Sequence, residues 1–91
     1  MKNTTLSNLR DIIDRLDDRI IAAIAERHEV SRQIGDYKKS CNIEVLDKDR
    51  EQWLHNYHLE LSQKYNISEE FVEAVFSLIV SQSRLIQNNK E

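Results

Sequence analysis

Residues 6–37 decide the fold, and they read LSNLRDIIDRLDDRIIAAIAERHEVSRQIGDY. Apolar side chains recur along this stretch mostly in alternating steps of three and four, and Arg27 interrupts the series. The series consists of Leu6, Leu9, Ile13, Leu16, Ile20, Ala23, Val30, Ile34 and Tyr37. This spacing predicts one continuous helix with a coiled-coil-like apolar stripe along one face.

The rest of the chain predicts two further helices. A break falls at residues 40–42, and a second helix opens near Asp47 with a stripe formed by Leu54, Tyr57, Leu61 and Tyr65. Residues 66–68 form the next break, and Ser68 is the expected N-cap of a third helix. Its apolar positions are Val72, Phe76, Ile79 and Ile86. Because the chain has no proline and one glycine, it lacks the turn residues of a sheet protein, and we expect a single all-α domain over residues 1–91.

The predicted helix lengths indicate an oligomer. At 1.5 Å per residue the first helix is about 50 Å long, and the others are about 27 and 33 Å long. A compact domain of this size is only about 30 Å across. The first helix therefore extends beyond the core that one chain forms, and we expect an intertwined homodimer in which the long helices pack antiparallel.

Composition excludes several classes of function. The chain has 13 Lys and Arg against 16 Asp and Glu, a net charge of −3, which argues against binding to nucleic acid or an anionic membrane. No segment approaches the roughly 18 consecutive apolar residues of a membrane span, and no signal-peptide core precedes Ser7. Cys41 is the single cysteine, which excludes an intrachain disulfide. We expect a cytoplasmic protein.

Polar residues occupy positions on the apolar stripes. Arg27 lies on the stripe of the first helix, and Lys38 follows 11 residues later, about 20° around the helix and about 16 Å along it. Two cations on one face facing an apolar core would repel each other, whereas a small anion between them would be bound.

The other two stripes also end in polar residues. Asp47, Arg50 and Glu51 extend the second stripe backwards, and Ser83 and Gln87 continue the third. An apolar core that ends in converging polar groups is typical of a ligand pocket.

Each of these residues also has an ordinary structural interpretation. As a structural residue, Arg27 would form an ion pair with Glu51 or extend its guanidinium group into solvent. Asp47 would cap its helix. Arg10 and Lys38 as single residues are solvated charges, and Ser83 and Gln87 are core residues with satisfied hydrogen bonds.

No residues suggest a metal or a covalent intermediate. His55 and His58 are three residues apart but lack a third ligand at a recognisable spacing, and His28 stands alone. No nucleophile motif is present, and one glycine does not form a phosphate-binding loop. We expect chemistry that needs neither metal nor cofactor.

Five segments in order resemble the helical chorismate mutases, and the match covers nearly the whole chain. They are residues 9–14 (LRDIID), 25–27 (AER), 34–38 (IGDYK), 47–51 (DKDRE) and 83–87 (SRLIQ). The resemblance implies a stand-alone mutase that rearranges chorismate to prephenate in aromatic amino-acid biosynthesis without a cofactor.

The resemblance also implies eight substrate-binding residues, sorted by the group of chorismate that they contact. They are Arg10, Arg27, Ser83 and Arg50 for the two carboxylates, Lys38 and Gln87 for the ether oxygen, and Asp47 and Glu51 for the ring hydroxyl. The expected catalytic residues among them are Lys38, Gln87, Arg27 and Arg10.

Arg10 is expected to act in the partner chain's site. It precedes Arg27 by 17 residues, about 25 Å on a rigid helix, so it does not reach its own pocket. Two other functions remain open. One is an isochorismate pyruvate-lyase, whose fold is similar to that of the helical chorismate mutases, and the other is a non-enzymatic helical dimerisation module. Asp47 and the adjacent Arg50 and Glu51 favour the mutase.

Overall fold

The computed structural model describes residues 5–89 and contains three helices, α1 (Leu6–Ser40), α2 (Lys48–Lys64) and α3 (Glu69–Gln87). The predicted all-α class and the three helices are confirmed. No helix in the described range combines the length and the apolar composition needed to cross a membrane. The 19 residues of α3 extend about 28 Å, less than the predicted 33 Å.

Side-chain caps fix the start of each helix. The Ser68 hydroxyl accepts a hydrogen bond from the Phe71 amide at 3.2 Å, which confirms Ser68 as the N-cap of α3. Asp47 caps α2 by accepting from the Arg50 amide at 2.9 Å, and Thr5 caps α1. Each cap satisfies a backbone amide that the helix leaves unpaired.

Asparagine ends all three helices. Asn42, Asn66 and Asn89 follow the helix C-caps with φ of 55°, 55° and 60°, in the left-handed region that asparagine tolerates better than most residues. After α2 the chain closes the turn with a hydrogen bond from the Ile67 amide to the Ser62 carbonyl at 2.8 Å. Asn89 explains the overestimated length of α3, because its backbone does not continue a right-handed helix.

α3 packs against both other helices, and among the described residues α1 and α2 do not pack against each other. Contacts between α1 and α3 run in the same order along both helices, from Arg27 with Ser83 to Lys38 with Gln87, so these helices are parallel. α2 is antiparallel to α3. The chain measures 62 × 24 × 17 Å, so the prediction that α1 extends beyond the core is confirmed.

The core of one chain is small. Val72 and Ile86 are the buried apolar residues in the described part of the chain, while Leu9, Ile13 and Ile20 on α1 are 48%, 56% and 57% exposed. The N-terminal half of α1 therefore presents an uncovered apolar stripe, as the sequence predicted.

His58 is buried between α2 and α3. Its ring stacks on Phe76 with the centroids 3.9 Å apart. Burial lowers the pKa of His58 from its ordinary value of 6.5, and the charges of Arg27, His55 and Arg50 lower it further. Folding therefore favours the neutral form of this imidazole.

We predict that Asn66→Ala lowers the free energy of unfolding by about 1 kcal/mol, because alanine lacks asparagine's tolerance of the left-handed region. Asn66→Gly should leave stability unchanged or raise it. Urea denaturation at one fixed protein concentration measures both. Asn56→Ala, at an exposed position inside α2, is the control without the left-handed backbone. Equal stability of the two Asn66 variants would contradict the prediction.

We also predict that His58 contributes to acid destabilisation. Because its folded pKa lies below the unfolded value of 6.5, the unfolded state binds more protons in this range, and stability falls as pH drops through about 6.5. His58→Leu should therefore show a smaller fall in Tm between pH 7 and pH 5. At pH 8 the imidazole is neutral in both states, so the Tm difference there reports packing alone. Parallel Tm profiles would contradict the prediction.

Candidate active site

The three helices enclose a pocket of about 400 Å³ at the end where α1 and α3 terminate and α2 begins. Its lining residues come from all three helices and from the connection before α2. They are Arg27, Val30, Ser31, Ile34, Lys38, Val45, Asp47, Arg50, Glu51, Leu54, Val80, Ser83, Arg84 and Gln87. The volume falls within the usual range for small-molecule sites.

Seven of the eight residues that the sequence singled out line this one pocket, and Arg10 does not. Arg10 lies in the exposed N-terminal part of α1, 17 residues before Arg27. The expectation that Arg10 does not contribute to its own chain's pocket is confirmed. The other seven are Arg27, Lys38, Asp47, Arg50, Glu51, Ser83 and Gln87.

Lys38 joins the end of α1 to α3 and to the connection before α2. Its ammonium donates to the Gln87 side-chain carbonyl Oε1 at 3.1 Å and to the Val45 main-chain carbonyl at 2.8 Å. Since an ammonium only donates, it fixes the Gln87 amide with its oxygen toward Lys38. The Gln87 nitrogen, Nε2, has no hydrogen-bond partner within residues 5–89 and remains a free donor at the pocket.

Arg27 lies half-buried against α3. One of its guanidinium nitrogens donates to the hydroxyl of Ser83, which is itself buried, at 2.5 Å. Burial lowers the pKa of Arg27 from its ordinary value, and the positive charge of Arg50 lowers it further. Both causes disfavour the cation in the empty pocket, so an anion bound beside it would be stabilised.

Glu51 pairs with Arg84 rather than with Arg27. The Arg84 Nε donates to Glu51 Oε2 at 2.7 Å, so the structural interpretation in which Arg27 pairs with Glu51 is wrong. The ion pair holds the start of α2 against the end of α3. Because one Glu51 oxygen is engaged by Arg84, the other remains an acceptor.

Sequence reasoning assigned no role to Arg84. It precedes Gln87 by three residues, and residues at this spacing lie on neighbouring positions of one helix face. That spacing was the sequence signal that could have placed Arg84 in the pocket. It did not reveal that Glu51 is the partner.

Asp47 and Arg50 lie at the exposed mouth of the pocket. Asp47 accepts the Arg50 amide with one carboxylate oxygen, and this leaves its second oxygen available. The Arg50 guanidinium lies over the Trp53 ring, 4.8 Å from its centroid. This contact adds a cation–π attraction that orients the side chain.

The pocket has a positive charge between apolar walls. Four cations and two carboxylates line it, which leaves an excess of two positive charges. Apolar side chains form its sides, among them Val30, Ile34 and Leu54. Within residues 5–89 no three or more metal-binding side chains lie together. Such a pocket fits a small molecule with two negative charges.

Residues 9–88 match the family described as chorismate mutase type II. A chorismate mutase of Methanocaldococcus jannaschii is 24% identical over 82 residues, which cover 90% of this chain and 83% of that protein.

Longer relatives match through one part of their length. The bifunctional chorismate mutase/prephenate dehydratases of Buchnera aphidicola (subspecies Baizongia pistaciae) and Escherichia coli K12 are 33% and 32% identical over 96% and 87% of this chain. The match spans 23% and 20% of those proteins, about a fifth of their length. The family match covers nearly the whole of the present chain and includes every residue of the pocket, so the chain belongs to the chorismate mutase type II family.

Proposed function

We propose that this protein converts chorismate to prephenate in the pocket between its three helices, in the cytoplasm and as a step of aromatic amino-acid biosynthesis. The observation that carries the proposal is the convergence of Arg27, Lys38 and the free Gln87 amide on one apolar-walled pocket. Family membership supports the same reaction.

The reaction suits a site of this composition. Chorismate carries two carboxylates, an ether oxygen and a ring hydroxyl, and it rearranges within one molecule, so no proton, hydride or acyl group is transferred to the protein. Holding the substrate in its reactive conformation and stabilising the charge that develops are sufficient.

Lys38 and Gln87 are the proposed donors to the ether oxygen. As the C–O bond breaks, negative charge grows on that oxygen, and donors aimed at it stabilise the transition state more than the substrate. Lys38 uses two of its three donors on Val45 and Gln87, which leaves one N–H for the substrate. The Gln87 amide is held with its nitrogen free, so both donors are in place before chorismate binds.

Arg27 is the proposed ligand of one carboxylate. The guanidinium is held by Ser83, and its planar fork of donors matches a carboxylate. Arg50 adds positive charge from the mouth of the pocket. The bound anion offsets both the burial of Arg27 and the repulsion between Arg27 and Arg50 that lower the Arg27 pKa.

Glu51 and Asp47 are the proposed acceptors of the ring hydroxyl. Each carboxylate has one oxygen engaged, by Arg84 and by the Arg50 amide respectively. The free oxygen of each can accept the substrate O–H, which fixes the orientation of the ring.

The second carboxylate is assigned to Arg10 of a partner chain in an intertwined homodimer. The uncovered stripe on the N-terminal half of α1 supports the dimer, because Leu9, Ile13 and Ile20 are about half exposed in one chain. In an antiparallel pair centred near residue 20, Arg10 of one chain lies beside residue 30 of the other. Residue 30 is Val30, which lines the pocket. Each dimer then contains two sites, and each site uses both chains.

The direct test is to incubate the purified protein with chorismate and identify the product. We expect prephenate, at a rate nearly independent of pH around neutrality, since no proton is transferred. Gln87→Glu should keep activity in acid, where the carboxyl is protonated and donates. It should lose on the order of 10²–10³ in rate at neutral pH, where that donor is gone.

Gln82→Glu makes the same change on α3 outside the pocket and should retain the wild-type pH profile. A Gln87→Glu profile that follows wild type would remove Gln87 from the ether oxygen. Release of pyruvate from isochorismate without prephenate formation would assign the lyase instead, and absence of any turnover or dicarboxylate binding would favour the dimerisation module.

Mixing two inactive variants tests the shared site. Arg10→Ala and Arg27→Ala chains should each be inactive alone, because every site lacks one arginine. After free exchange of equal amounts, half of the dimers are mixed and one of their two sites has both arginines, so about a quarter of wild-type activity should return. Uniform 15N labelling of one variant makes its chains heavier, so mass spectrometry of the intact dimers then measures exchange. No recovery despite exchange would contradict the two-chain site.

A further inference from the structure

The single glycine of the chain lies inside α1, where the helix itself gives no reason for it. Gly35 is buried, and its φ is not in the left-handed region. Glycine in the interior of a helix is less favourable than alanine because it loses more conformational freedom on folding. The local backbone therefore does not explain why residue 35 lacks a side chain.

The packing of α3 explains it. A Cβ added to Gly35 would lie 2.7 Å from the main-chain carbonyl oxygen of Gln87, 2.8 Å from its Cα and 3.1 Å from its carbonyl carbon. These are backbone atoms, which cannot turn aside as a flexible side chain can. The two helices approach each other so closely at this point that only a residue without a side chain fits.

The contact between Gly35 and Gln87 lies beside the two proposed donors to the ether oxygen, Lys38 and Gln87. Gln87 is the last residue of α3, and Lys38 follows Gly35 by three residues, nearly one turn of α1. The hydrogen bond from Lys38 to Gln87 Oε1, at 3.1 Å, therefore bridges the helices directly beside the Gly35 contact. A change in helix separation at residue 35 moves the Gln87 amide relative to Lys38.

We infer that Gly35 is a positioning residue for the reaction: its missing side chain sets where the Gln87 amide stands beside Lys38. The inference rests on the proposed role of Gln87 as a donor to the ether oxygen. A purely structural Gly35 would let the helices pack and affect rate only through the amount of folded protein.

A double-variant comparison separates the two roles. Gly35→Ala should lower kcat by roughly 10- to 100-fold, because a displacement of about 1 Å has effects of this size. KM should change less than kcat, because Arg27 and Ser83 contact each other farther along both helices from the Gly35 contact. In the Gln87→Ala background the same change at Gly35 should alter kcat by less than about twofold, because the amide that it displaces is already absent.

Circular dichroism and thermal denaturation measure the folded fraction of each variant. Asp36→Ala, at the neighbouring exposed position of α1 outside the pocket, is the control and should keep wild-type kcat. An equal loss of kcat from Gly35→Ala in both backgrounds would overturn the positioning role and leave the proposed function standing. Wild-type kcat in Gln87→Ala would overturn the role of Gln87 and the inference together.

A second variant tests the inference if Gly35→Ala does not fold. Gln87→Asn leaves the helix contact intact and draws the amide back by one methylene. It should lose most of the rate that Gln87→Ala loses, because the position of the amide and not its mere presence supports the reaction. An Asn variant as active as wild type would show that placement within this distance is unimportant and would overturn the inference.

Discussion

The packing of α3 between the other two helices is the interaction on which the rest of the structure depends. Within residues 5–89, α1 and α2 are held in their relative positions through α3, parallel to α1 and antiparallel to α2. The contact with α1 is backbone against backbone at Gly35 and Gln87, and the contact with α2 includes the stack of His58 on Phe76. The pocket lies at the C-terminal end of α3, where this helix meets the end of α1 and the start of α2, so its shape is set mainly by helix packing.

This arrangement brings cations together at some expense in folding energy. Arg27 is half-buried and faces the charge of Arg50, and both effects lower its pKa. A chain that needed only to fold would place apolar residues here, since a buried charge without a carboxylate partner is unfavourable. The only carboxylate of the described chain that forms an ion pair inside the pocket, Glu51, is taken by Arg84. Arg27 consequently has the neutral hydroxyl of Ser83 as its partner and keeps its charge uncompensated until an anion arrives.

The sequence predicted the elements and most of the pocket, because both depend on periodicity within one helix. Several features are visible as departures from the repeating apolar pattern. They are the breaks at residues 40–42 and 66–68, the caps at Asp47 and Ser68, and Arg27 at a position where an apolar residue is expected. Features that depend on the distance between helices were not visible. The pairing of Glu51 with Arg84 and the contact of Gly35 with Gln87 require α3 to be placed first. The sequence also predicted too late an end for α3. Asparagine alone does not mark the end of a helix, because it occurs inside helices as well, as at Asn56.

The parallel course of α1 and α3 has an electrostatic consequence. Each helix carries a macrodipole equivalent to roughly half a negative charge at its C-terminus and half a positive charge at its N-terminus. Two C-terminal ends, beside Lys38 and Gln87, and one N-terminal end, beside Asp47, adjoin the pocket. Their combined field is equivalent to roughly half a negative charge, and it offsets part of the repulsion among Arg27, Lys38 and Arg50. The backbone itself thus helps to hold the cations close together before a ligand binds, so a dianion does not have to bring them together.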